Sequence, residues 1–407
     1  MFSFFNKDRN ATEMIAVVDI GSSSVASALV ELDRNGNPTI WQARRLTLPI
    51  EPTRDTQTLV RRILETTADA LDSTSRAAQH RGVKEKARGR GAKPSAIAHV
   101  AVFLPSPWST LFLRNVELKR AAPIAVNRDV IERMVGDYIK HERPDREEEA
   151  IVERSISGLR LNGYPVDDVP KNAQAQTIEM TIISATADKN LLTDIRNAIH
   201  KAVGHYTTVS FHATSVAASY SLTTIKPDIS DYIFANSEGE VTELTLIAEH
   251  APCASATAQI GCAVLPRTAA AHGIPAVEVP SALKLADNAN SPMAHKMEPI
   301  EREAQKKCAA AFYTAVKGLL SKGQYAPSTV YLMHDTGDNK WVSDALSSDT
   351  NITSLFTHGL DMISISPQFF SPFVTMRMAG FLDPYLGLEA LYADARFDRY
   401  KSFNFKI

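Results

Sequence analysis

Residues 17–25 read Val17-Val18-Asp19-Ile20-Gly21-Ser22-Ser23-Ser24-Val25. The apolar run Met14-Ile15-Ala16-Val17-Val18 leading into them predicts a strand. A second strand follows, with Val25, Leu29 and Leu32 among its apolar members, and ends at the turn Asp33-Arg34-Asn35-Gly36-Asn37-Pro38. Two strands joined by Asp-x-Gly-Ser-Ser-Ser form a hairpin whose tip is cramped at Gly21 and presents Ser22, Ser23 and Ser24 as N–H and hydroxyl donors. Stacked donors of this kind make a concavity that can seat a phosphate. Asp19, at the end of a buried strand, is placed to order a hydrated Mg²⁺. The alternative is a surface hairpin with a serine-rich turn.

The whole chain sets outer limits on that reading. Its 407 residues suggest two to four subdomains rather than a single core. A hydrophobic share of 44% with 22% charged residues places it among globular proteins. The formal net charge of −2 gives no general attraction to nucleic acid or anionic lipid. Cys253, Cys262 and Cys308 are odd in number, widely spaced and without paired histidines, as in a reducing compartment rather than in a disulfide frame or zinc site. No apolar run reaches the roughly 18–20 residues of a membrane span, and the first residues are too short for a signal peptide. A cytoplasmic protein is the expectation.

Asp-Ile-Gly-Ser-Ser-Ser-Val after an N-terminal strand resembles the first phosphate loop of the actin/Hsp70 ATPase superfamily. The resemblance is closest to the bacterial branch that holds the FtsA cell-division proteins and the PilM type IV pilus proteins. It implies an actin-like (ribonuclease H-like) bilobed α/β fold with a small inserted domain of the 1C or SHS2 type, and ATP with Mg²⁺ as the cofactors.

The order of elements downstream is similar to that branch. The spacing of Leu59, Val60, Ile63, Leu64 and Leu71 predicts a helix over 57–71, and the basic, glycine-containing stretch 76–94 reads as a solvated loop, a phosphate or headgroup contact being its alternative. Strands follow over 96–104 and 110–117, then a helix capped by Asn127, strands over 150–161 and 176–185, and a helix capped by Asp188 and closed by Gly204. Gly163-Tyr164-Pro165-Val166-Asp167-Asp168 is similar to the loop that leaves the inserted domain. Residues 211–220 resemble the short helix that precedes the second half, after which Lys226-Pro227-Asp228 marks a boundary.

The second half repeats the hairpin, with strands over 232–235 and 241–248. Where the family carries Asp-x-Gly-Gly-Gly-Thr-Thr-Asp, this chain has Asn236-Ser237-Glu238-Gly239-Glu240-Val241-Thr242-Glu243. A glutamate about 4–6 Å from a phosphate costs on the order of 1–4 kcal/mol. A replaced glycine loses easy access to positive φ, and Asn236 lacks the charge that helps hold Mg²⁺. A helix is expected over 300–320 and a strand over 328–333; in the family's adenosine loop, here His334-Asp335-Thr336-Gly337-Asp338, only Gly337 remains. Asp383-Pro384 starts a last helix. The mixed basic and aromatic tail 396–407 reads as packing on the body, with an interfacial anchor as the alternative.

The expected organisation is a first lobe over 12–95 and 181–227, an inserted domain over 96–180, a second lobe over 228–375, and a C-terminal helix and tail over 376–407. The resemblance implies a nucleotide between the lobes. Asp19, Gly21, Ser22, Ser23 and Ser24 would hold it on one side and Asn236, Gly239, Thr242 and Gly337 on the other, with Asp19 facing the metal. The degraded second tip and adenosine loop argue against efficient hydrolysis. The functional expectation is a cytoplasmic scaffold, peripheral at the inner face of the cell membrane, that recruits protein partners there, with self-association an open alternative. Cell-division components come first and pilus inner-membrane components second; an active ATPase is the competing class.

Overall fold

The computed structural model describes residues 13–32, 36–51, 55–87, 97–142, 144, 146–166, 169–320, 326–334, 340–377 and 383–397. The chain starts with strands β1 (Glu13–Ile20), β2 (Ser24–Leu32) and β3 (Thr39–Thr47), helix α1 (Thr56–Ala87) and strand β4 (His99–Leu104). It then builds a separate four-stranded sheet: β5 (Ser109–Ala125), helix α2 (Arg128–His141), β6 (Glu149–Leu161), β7 (Tyr164–Pro165) and β8 (Gln174–Asp188), in the order β5-β8-β6-β7. Helix α3 (Lys189–Val203), strand β9 (Thr208–Ala213) and helix α4 (Thr214–Ile225) return to the first lobe.

The second lobe contains β10 (Tyr232–Ser237), β11 (Thr242–Ala248), β12 (Ala251–Ala258), α5 (Val264–Ala271), α6 (Val279–Ala286), α7 (Pro292–Leu319), β13 (Thr329–His334), α8 (Lys340–Ser348), α9 (Thr350–Thr353) and β14 (Asp361–Ser364). Strand β15 (Thr375–Met376) and helix α10 (Pro384–Phe397) close the chain against the first lobe. The two large sheets run β15-β3-β2-β1-β4-β9 and β12-β11-β10-β13-β14.

The alternation in β1 explains the layering. A strand sends successive side chains to opposite faces. Ile15 and Val17 therefore join a core with α4, α10 and the inner face of the second sheet (Tyr232, Phe234, Tyr331), while Ala16, Val18 and Ile20 join α1 and α3 through Ile63, Leu71 and Ile195. Both faces being covered, β1 is apolar throughout. The outer face of the second sheet packs Ile233, Ala235 and Leu332 against Phe312 and Val316 of α7. The two large sheets thus sandwich α4 and α10. Fully burying an aliphatic side chain contributes about 1.5–3 kcal/mol before entropy is subtracted.

Several expectations need correction. Helix α1 does not stop at 71 but continues to Ala87, so most of the supposed basic loop is helical. Tertiary contacts draw it on: Ala77 and Ala78 pack on the core, and Arg81 pairs with Glu31 at 2.8 Å and stacks on Trp41 at 3.9 Å. Residues 88–94 of that stretch lie outside the described residues. Residues 211–213 end a strand, and the helix starts only at Thr214. Helix α7 begins eight residues before 300, at Pro292, where the Ser291 hydroxyl accepts the Ala294 N–H at 3.0 Å.

Strand pairing also bears on the boundaries. β4 pairs with β1 and β9, so residues 99–104 sit in the first lobe's sheet, and β8 runs unbroken past 180 to Asp188. Asn127 and Asp188 cap α2 and α3 as their sequences predict, each accepting the N–H three residues on. No described helix is long and apolar enough to cross a membrane.

Candidate functional site: two hairpin tips between the lobes

Both hairpins point into the same interlobe space because β1 and β10 lie in the middle of their sheets, each flanked by its hairpin partner and a parallel strand. The tips meet. The Ser22 N–H donates to Glu238 Oε2 at 3.2 Å, and the Glu240 N–H donates to Ser22 Oγ at 3.0 Å. A Cβ placed on Gly21 would lie 2.3 Å from Glu238 Oε2, and one on Gly239 would lie 2.4 Å from the Ser23 Cβ. Glycine at both positions allows this approach: a Cβ on Gly21 would displace the Glu238 carboxylate, and one on Gly239 would run into Ser23.

Behind the first tip, Asp19 is completely buried, and its Oδ2 accepts from the Arg45 guanidinium at 2.8 Å. The same guanidinium reaches Ser24 Oγ at 2.6 Å and both oxygens of Asp383, at 2.5 and 3.0 Å, and lies 4.9 Å from the centre of the Tyr385 ring. Asp383 also caps α10 by accepting the N–H groups of Tyr385 and Leu386. One turn further along α10, Glu389 is fully buried, with no hydrogen-bond partner on either carboxyl oxygen among the described residues. Burial and then the neighbouring Asp19 carboxylate push its pKa well above the ordinary carboxylate range.

At the second tip, Asn236 accepts from the Tyr385 hydroxyl at 2.6 Å and donates to Glu238 Oε1 at 3.4 Å. Thr242 turns away from the cleft and donates to the Ile260 carbonyl at 2.9 Å. That tip is buttressed from behind by the 259–263 turn: Cys262 N–H binds the Glu238 carbonyl and Ala263 N–H the Gly239 carbonyl. Arg267 of α5 holds Glu240 through both guanidinium ends and donates through Nε to the Glu51 carbonyl of the first lobe at 3.1 Å. Glu243 also reaches across, accepting from Ser106 N–H at 3.3 Å and Ser215 Oγ at 2.9 Å; burial raises its pKa.

Of the residues expected to hold nucleotide, Asp19, Gly21, Ser22, Ser23, Ser24, Asn236 and Gly239 are therefore brought together. Thr242 faces its own lobe, and Gly337 lies outside the described residues. The residues present do not fit ATP with Mg²⁺ in this arrangement. A protein carboxylate takes the Ser22 N–H, and a guanidinium sits on the acid expected to face the metal. Arg45, Asp383, Glu389, Arg267 and Glu243 complete the site without being singled out from sequence. The signal available was faint: two acids inside an otherwise apolar stretch, in Asp383-Pro384-Tyr385-Leu386-Gly387-Leu388-Glu389.

Two sheets enclosing a pair of helices, with opposed hairpin tips between the lobes, define an actin-like fold. No family model matches the chain, and no characterised protein matches it in sequence. Among solved structures it is similar to a chain of the PilM–PilN type IV pilus biogenesis complex, at 12% identity over 94% of this chain and 98% of that one, with a TM-score of 0.57. It also aligns with the ethanolamine utilization protein EutJ of Carboxydothermus hydrogenoformans, at 12% identity over 95% and 91% of the two chains, with a TM-score of 0.40.

Proposed function

We propose that this chain is an actin-fold adaptor of type IV pilus assembly that binds a cytoplasmic segment of an inner-membrane component and does not turn over ATP. The observation that carries the reading is a groove of about 1050 Å³ where three parts of the molecule converge. The small sheet contributes Ser157, Gly158 and Thr181, helix α4 contributes Tyr220 and Thr223, and the second lobe contributes the turn around His250. An extended peptide fits such a groove, which offers polar side chains and the rings of Tyr220 and Tyr392. The whole-length likeness to a chain of the PilM–PilN complex supports pilus assembly over cell division, the expectation placed first on sequence. The contacts between the hairpin tips support a scaffold over an active ATPase. In this reading the small sheet is the inserted 1C or SHS2-type domain, and the protein lies peripherally at the inner face of the membrane through its partner.

The test is fluorescence binding of synthetic peptides covering the cytoplasmic segments of pilus inner-membrane proteins and, separately, of division proteins from the same genome. A pilus peptide should bind, and Gly158→Trp, which puts an indole into the groove, should weaken it about tenfold or more. Binding by a division peptide alone, or undiminished binding to Gly158→Trp, would overturn the reading.

A further inference from the structure

We propose that Glu238 is a built-in anion: its carboxylate takes the seat that the Gly21–Ser24 tip offers to a phosphate, and so latches the lobes shut without nucleotide. The seat is defined by the Ser22 N–H, which donates to Glu238 Oε2 at 3.2 Å, and by the bare Cα of Gly21, where that oxygen occupies the position a Cβ would need. The carboxylate is 1% exposed and is steadied from its own lobe by Asn236 Nδ2. A phosphoryl group at the same N–H would have to displace it or face a like charge at close range in a site shielded from water.

The neighbouring residues share the task. All three glutamates of the second hairpin engage the first lobe: Glu238 at Ser22, Glu240 through its N–H at Ser22 Oγ and through Arg267 at the Glu51 carbonyl, and Glu243 at Ser106 and Ser215. Glu238 and Glu240 are the two glycine replacements that make the second tip unsuitable for a phosphate chain. Glu238 and Glu240 therefore close the cleft by the same contacts through which they exclude nucleotide. Closure is then a fixed property of the fold, and the groove beside α4 keeps one shape whatever the nucleotide supply. The inference does not depend on which partner occupies that groove.

Hydrogen exchange of the full chain tests it, read by mass spectrometry at residues 21–24 and 238–241. In the wild type, about 5 mM MgATP should leave exchange at both tips and the melting temperature unchanged, since a ligand stabilises only what it binds. Glu238→Ala should raise exchange at both tips about tenfold or more, and inorganic phosphate should lower it again by refilling the seat. Glu238→Gln keeps the shape and one acceptor but loses the charge, so it should show an intermediate rise even if the alanine variant does not fold. Stabilisation of the wild type by MgATP, or exchange in Glu238→Gln indistinguishable from wild type, would overturn the proposal.

Discussion

Arg45→Met is the sharpest probe of the interlobe charge cluster. The substitution keeps most of the side-chain volume and removes the cation that neutralises a fully buried Asp19 and a mostly buried Asp383. Removing one partner of a buried ion pair costs about 3–5 kcal/mol, because the remaining charge is left desolvated. Here two carboxylates lose the same guanidinium, with the buried Glu389 close by, so the upper half of that range applies at pH 7. The pH dependence carries the sign. Without Arg45 the buried carboxylates lose their countercharge, and protonation in acid removes the charge left desolvated. Its deficit relative to wild type should shrink between pH 7 and pH 5. Urea unfolding of both proteins at the two pH values measures this. A deficit below about 1 kcal/mol at pH 7, the level of an exposed pair, or one that grows on acidification, would refute the reasoning.

Gly239→Ala should destabilise by about 1–3 kcal/mol through the Cβ contact with Ser23, and Ser23→Gly in the same chain should recover most of the loss, which a double-mutant cycle measures. His99 is buried beside His212, and burial followed by the like charge of His212 lowers its pKa to about 4. Its contribution is whole above about pH 6.5 and is lost as the pH falls toward 4, amounting to about 2–3 kcal/mol. Stability measured against pH should therefore fall less steeply over that window in His99→Asn than in the wild type. Burial pushes the Cys308 thiol up to about 12, so at pH 8 an alkylating reagent should label the exposed Cys253 in the native protein and reach Cys308 only after denaturation.

The sequence by itself determined much of the architecture, because the relevant signals are local. Alternating or continuous apolar runs mark β1, β10 and β13, and Asn127 and Asp188 name the helices they cap. Asp-x-Gly-Ser-Ser-Ser and its degraded counterpart at 236–243 mark the two hairpins. Element ends were less legible: Arg81 keeps α1 helical through contacts with Glu31 and Trp41, which lie about 40–50 residues away in the chain. The sequence also showed that Glu238 is hostile to a phosphate, since a like charge repels wherever it sits.

Only the tertiary structure decided what that residue does instead. Glu238 lies 216 positions from Ser22 and Arg45 lies 338 from Asp383, and their meeting depends on how two sheets close over α4 and α10. Charge and spacing along a chain cannot report such a meeting, because a buried ion pair is made by the packing that removes water from both partners.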